Sequence, residues 1–174
     1  MSTQRPNRRS FLRLGGIAAA STAAAAAAPV SGKAQRTRPG KKVIYKPGEK
    51  PSPERILSSG IQFGRLLFVS GQGAHDPETH KVVGGPFPNQ VRQCLENVKT
   101  VLEAAGSSLD RVLKCTVFLT DISNFQAMNE VYHTFFPIDP PARSTVAVKD
   151  LPGDSPVEIE CIAYVDRVRL APGA

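Results

Sequence analysis

Residues 91–119 read VRQCLENVKTVLEAAGSSLDRVLKCTVFL, and this stretch decides the fold. Its first part sets Val91, Cys94, Leu95, Val98, Val101, Leu102 and Ala105 at helical spacing, an apolar stripe on one side of an amphipathic helix, and Gly106 supplies the stop. Its last part, residues 112–119, is a β-branched and apolar run of strand length. A helix with one apolar stripe needs a sheet face to cover, and the following strand belongs to such a sheet.

Downstream, Asp121 or Ser123 can cap a second helix with the stripe Phe125, Met128, Val131, Tyr132 and Phe135, broken by Pro137. Residues 144–148 and 157–165 read as the last strands, joined by Leu151-Pro152-Gly153-Asp154. Upstream, residues 61–63 and 66–70 flank Gly64-Arg65, a hairpin signal, and a short strand at 81–83 follows the Asp76-Pro77 turn. The expected fold class is therefore α+β: a mixed β-sheet with two helices packed on one face.

The strands are apolar in both phases. Leu67 and Val69 alternate with Leu66 and Phe68; Leu113, Cys115, Val117 and Leu119 alternate with Val112 and Phe118; Ile159, Cys161 and Ala163 alternate with Ile162 and Tyr164. Two helices cover one face only, and a solvated antiparallel face would be polar. The second face is expected to be buried against other copies of the chain, which makes a homo-oligomer.

The net charge of +7 is unevenly distributed. Residues 1–34 hold five basic residues and no acid, whereas from residue 51 onward 11 basic residues face 14 acidic ones, a net −3. Nucleic-acid binders concentrate positive charge on the folded domain, so a nucleic-acid partner is disfavoured. The basic N-terminus reads as an address. Arg8-Arg9-Ser10-Phe11-Leu12 precedes a weakly apolar, Ala- and Gly-rich run too short for a membrane span, the pattern of a twin-arginine signal. The expected organisation is a signal peptide at 1–34, a basic flexible linker at 35–54 with a short strand at 43–46, a domain at 55–168 and a tail at 169–174. Cleavage falls within 23–28 or after Ala34. The domain is expected to be periplasmic or secreted, with no stable membrane anchor after cleavage.

Cys94, Cys115 and Cys161 form no Cys-x-x-Cys pair and lie in apolar segments, as buried free thiols do; a Cys115–Cys161 disulfide is the minor alternative. His75, His80 and His133 lack metal-ligand spacing, and the first two flank a turn as exposed loop residues. Polar residues stand out elsewhere. Arg143 follows Pro140-Pro141-Ala142 at the start of a strand, where a planar guanidinium on a stiff backbone suits bidentate capture of a carboxylate, though an ordinary surface arginine fits the same pattern. Glu158 and Glu160 share the second face of the last strand. Buried there they would either form ion pairs across an interface or carry raised pKa values suited to acid–base work.

Several words of the sequence, taken together, resemble the RidA (YjgF-like) family of reactive-intermediate deaminases over about residues 55–168. They are Val69-Ser70-Gly71-Gln72, Gln93-Cys94-Leu95-Glu96-Asn97-Val98, Lys114-Cys115-Thr116-Val117-Phe118-Leu119, Asn129-Glu130-Val131-Tyr132, Pro141-Ala142-Arg143-Ser144 and Val157-Glu158-Ile159-Glu160-Cys161-Ile162-Ala163. The resemblance implies a chorismate-mutase-like α+β fold and a homotrimer with sites at subunit interfaces. It implies that Arg143 grips the substrate carboxylate and that Glu158, rather than Glu160, positions the water that attacks the imine carbon. Ser70 and Asn129 would lie near that pocket, and Gly71 would let the backbone approach the ligand closely. The implied reaction is hydrolysis of amino-acid-derived enamines or imines to 2-oxo acids and ammonia, with no cofactor and no metal. A family tyrosine aligns near Leu57, which has no hydroxyl, and the segment between Phe136 and Pro141 is short. The alternative is an exported, non-catalytic module that binds a small carboxylate on the same fold. The net −3 from residue 51 onward weighs against a ribonuclease.

Overall fold

The computed structural model describes residues 40–166, so the paired arginines, the run behind them and residues 167–174 lie outside the described residues. Strands β1 (Lys41–Ile44), β2 (Gly60–Phe63), β3 (Leu66–Gly73), β4 (Val112–Leu119), β5 (Ala142–Ala147) and β6 (Val157–Tyr164) form one sheet in the order β1-β2-β3-β6-β4-β5. All pairings are antiparallel except β4 with β5, which is parallel. Gly64, at φ 62°, turns the chain between β2 and β3.

Helix α1 (Phe87–Ala104) begins with Pro88 in its first turn, where a missing N–H costs nothing, and ends at Gly106, whose φ of 78° lets its N–H reach Glu103 O. Val91, Cys94, Leu95, Val98, Val101 and Leu102 are all fully buried, and the helix packs on β3 and β6. Helix α2 (Phe125–Phe135) is entered through a 3-10 turn capped by Asp121, whose carboxylate accepts the Ser123 N–H at 2.8 Å. It packs against α1 and carries the crossover that a parallel β4–β5 pair requires. The core lies between these helices and one sheet face: Leu67, Cys115, Val117, Leu119, Val157, Ile159 and Ala163 are each completely buried. Full burial of one such large side chain stabilises the fold by roughly 1.5–3 kcal/mol.

Among the described residues no helix covers the other face. Leu66, Phe68 and Val146 are 42–44% exposed there, beside half-buried Phe118, Ile162 and Tyr164. The apolar phase expected from the alternation is thus open in a single chain.

Several expectations are corrected. Val112 is buried and Leu113 is exposed, the reverse of the simple alternation, because the β4–β6 register shifts between Val112 and Lys114 and makes Leu113 the extra residue. The strand expected at 81–83 is reduced to one bridge between His75 and Val82. Part of the stretch read as a basic flexible linker is sheet: β1 lies two residues earlier than expected and pairs along its length with β2, burying Ile44. Sequence charge obscured where this strand begins, since Lys41 and Lys42 sit at an exposed edge where lysine is favoured.

Candidate functional site

Arg143 is the second residue of β5, opposite Cys115 of β4, so its side chain rises on the helix-covered face. There Arg143 Nη2 donates to Asn129 Oδ1 at 2.6 Å, and Nη1 reaches Met128 Sδ at 3.8 Å. The guanidinium carbon stands 4.5 Å from the Tyr132 ring centroid and 5.7 Å from that of Phe125, both within cation–π range. Asn129 and Tyr132 are one turn apart on α2, so a single helix face orients the group. Among the described residues no carboxylate pairs with Arg143. Its charge is aimed and not neutralised, at the rim of a pocket of about 310 Å³ lined also by His133, Phe136, Pro140 and Pro141.

Glu158 belongs to β6 and faces the opposite way from its buried neighbours Val157 and Ile159. It lies against a bulge. The β3–β6 register shifts between Val69 and Gln72, which places Ser70 and Gly71 together opposite Glu160. A methyl group built on Gly71 would overlap Glu158 Oε1, so glycine leaves room for the carboxylate in this position. Burial first, and then the like charge of Glu160, push the Glu158 carboxyl above the usual carboxylate range, against a lowering influence from His75. No ion pair among the described residues involves Glu158.

The residues singled out from the sequence thus assemble as two groups. Arg143 joins Asn129, and Glu158 joins Gly71. Ser70 adjoins the second group, but its hydroxyl donates to Ser58 O at 2.6 Å. Within one chain the groups occupy opposite sheet faces: Arg143 shares a face with Cys115, whereas Glu158 lies opposite Phe118 on the other.

Tyr132 and His75 were not legible as site residues. Tyr132 fits the apolar stripe of α2, and only its place three residues beyond Asn129 marks it. Burial, and then Cys115 beside it, push its phenol pKa up, and among the described residues its buried hydroxyl has no hydrogen-bond partner. His75 is half-buried rather than an exposed loop residue. Its Nε2 is 2.8 Å from Gly153 O, and its Nδ1 occupies space that a side chain on Gly73 would need. Two glycines at alternate strand positions, Gly71 and Gly73, are the sequence signal that two other side chains crowd this strand. The three thiols are buried and free; Cys115 and Cys161 face each other across β4 and β6 without a bond, and burial pushes all three pKa values up, which makes them poor nucleophiles. Among the described residues no group of three His, Cys, Asp or Glu side chains could hold a metal ion.

The sequence profile of the family described as Endoribonuclease L-PSP matches residues 48–165. A RutC family protein of Pyrococcus horikoshii is 48% identical over 114 residues, 66% of this chain and 90% of that protein. A protein of Dermatophagoides farinae named 2-iminobutanoate/2-iminopropanoate deaminase is 36% identical over 116 residues, 67% of this chain and 91% of its own. The crystal structure of E. coli TdcF with bound serine superposes with a TM-score of 0.65 at 38% identity, covering 72% of this chain and 99% of TdcF.

Proposed function

The chain belongs to the Endoribonuclease L-PSP family, the RutC and RidA proteins, and on that premise we propose that it hydrolyses reactive enamines or imines derived from amino acids. In the imine form, R–C(=NH)–COO⁻ and water give R–CO–COO⁻ and ammonia. Arg143 holds the carboxylate through its fork of N–H donors, with Asn129 and Tyr132 fixing the plane of the guanidinium. Glu158 takes the proton of the attacking water and returns it to the departing nitrogen; a pKa raised by burial makes it a stronger base than an ordinary carboxylate. Water attacks an iminium carbon readily, so positioning supplies much of what the reaction requires.

The observation that carries this reading is the Arg143 guanidinium, oriented by two side chains and, among the described residues, left without a counter-charge. One chain holds Arg143 and Glu158 on opposite faces, so the complete site is proposed to form between copies of a homotrimer, across the open apolar face. The decisive experiment supplies purified protein with freshly generated imine of alanine and follows 2-oxo acid and ammonia. Acceleration over buffer supports the enzyme. Binding of 2-oxo acids without acceleration would replace it by a carboxylate-binding module.

The domain is further proposed to work outside the cytoplasm, on the strength of Arg8 and Arg9 and the run behind them. Changing both arginines to lysine should leave full-length precursor in the cytoplasm. Unchanged processing would remove the twin-arginine reading.

A further inference from the structure

Resting on that reading, we infer that Lys46 makes the cavity beside Gly71 selective for a second anionic group, so that the substrates are imines of acidic amino acids in preference to neutral ones. The cavity, about 710 Å³, lies between the loop after β1 and the Gly71–Gly73 end of β3. That volume is within the range of about 300–1,000 Å³ typical of pockets for whole small molecules.

Its charges are unevenly satisfied. Glu49 Oε1 accepts Arg55 Nη2 at 3.1 Å, while Oε2 accepts the backbone N–H of Lys46 at 2.9 Å and the Ser59 hydroxyl at 2.8 Å. Burial pushes the Glu49 carboxyl up, but these bonds together outweigh it and hold the group below its ordinary range. Asp76, the other acid on the wall, accepts the N–H groups of Glu78 and Thr79 at 3.1 and 2.7 Å and is engaged in its own turn. Lys46 Nζ meets neither. It donates to Gln72 Oε1 at 3.3 Å.

The Gln72 contact is fixed rather than incidental. Gln72 is buried, and its Nε2 donates to Ser70 O at 2.9 Å and Gly71 O at 3.1 Å, so the amide oxygen is the atom left to face the ammonium. A neutral acceptor orients this cation without cancelling its charge, and an ammonium has three donors to place. Among the described residues no carboxylate pairs with Lys46. Gly71 lies on the cavity wall, and the Glu158 carboxylate rests against the same residue. Glu158 itself does not line the cavity, so a substrate presenting its imine carbon to Glu158 would reach Lys46 by passing its side chain over Gly71. Among amino-acid side chains, the anionic groups that would complete the ammonium are carboxylates.

The test uses the full chain as wild type, Lys46→Gln and Lys46→Arg, with imines generated in situ from aspartate, glutamate and alanine. The ratio of kcat/KM for an acidic over the neutral imine is expected to fall about tenfold or more in Lys46→Gln, the scale of a lost charge-assisted hydrogen bond, and to recover in Lys46→Arg. The alanine-derived imine should be hydrolysed equally by all three. A ratio that ignores Lys46, while alanine imine is still turned over, overturns the inference and leaves the proposed function standing. Equilibrium binding of oxaloacetate against pyruvate gives a readout without turnover. A Lys46-dependent preference for oxaloacetate supports the cavity assignment even if no imine is hydrolysed, in which case the proposed function falls alone. No such preference counts against the assignment.

Discussion

Arg143 Nη2 and Asn129 Oδ1 are 2.6 Å apart, a bond between the start of β5 and the middle of α2 that fixes where the guanidinium at this rim points. The bond is side chain to side chain, so it can be removed from either end with different consequences. Arg143→Lys keeps the charge and loses the fork, and 2-oxo acid affinity should fall by about 1.5–3 kcal/mol, roughly one to two decades. Asn129→Ala leaves the guanidinium stacked on Tyr132 and should cost about 0.5–1.5 kcal/mol of affinity, the scale of an ordinary hydrogen bond. Calorimetric titration with pyruvate measures both. Wild-type affinity in Arg143→Lys would displace the carboxylate site from this residue.

Gly71 offers a test of position rather than charge. A methyl there meets Glu158 Oε1 and Cδ, the far end of a flexible side chain. The carboxylate can swing aside, so Gly71→Ala should lower stability by less than about 1 kcal/mol, the lower bound of overpacking penalties. Turnover should suffer far more, because a general base displaced from its proton loses much of a contribution of about 10²–10⁴-fold. Thermal unfolding and imine hydrolysis on one preparation separate the two. Equal losses in stability and activity would mean that Glu158 is not held in a working position.

The sequence carried the helices and most strands because their signals are local. The stripe from Val91 to Leu102 and the stop at Gly106 need no partner to be recognised. The bulges were not legible. Nothing in Val112-Leu113-Lys114 or Val69-Ser70-Gly71-Gln72 announces an extra residue, because a register shift is a property of the strand alongside. The same holds for the site. Arg143 and Glu158 stood out as polar residues on apolar strands, but their separation onto two faces emerges only from pairing β4 with both β5 and β6. His75 read as an exposed loop residue because the room it occupies is cleared by Gly73 and Gly153, the latter 78 residues away in the chain.

Phe68 lies on the open face and is 43% exposed in a single chain, so a charge there should disturb assembly more than folding. The wild type is expected to be a trimer by light scattering and Phe68→Lys a monomer. If the site joins Arg143 of one copy to Glu158 of another, the monomeric variant should also lose imine hydrolysis. A folded monomer with wild-type turnover would show that one chain suffices.

Glu158 should reveal itself in the dependence of both activity and stability on pH. Its folded pKa is raised, by burial first and then by Glu160. In the proposed role of general base it works deprotonated, so kcat/KM should fall on acidification at a higher pH than an ordinary carboxylate, near 4.3, would give. Glu160→Gln removes the like charge and should move that limb to lower pH. For stability the sign is the opposite of the familiar salt-bridged carboxylate. The folded state binds this proton more tightly than the unfolded state, so stability declines as pH rises from the unfolded pKa through the folded one. Glu158→Gln stays uncharged throughout. It should therefore melt slightly above wild type at pH 7, with the gain shrinking toward pH 4 as the wild-type carboxyl takes up its proton. Solvent access to Glu158 keeps that gain small. Melting curves of the two proteins from pH 4 to 8 decide it: a Glu158→Gln variant that is less stable at pH 7 than wild type would mean that the carboxylate is held by a favourable partner, and the raised pKa on which its role as acid and base depends would be wrong.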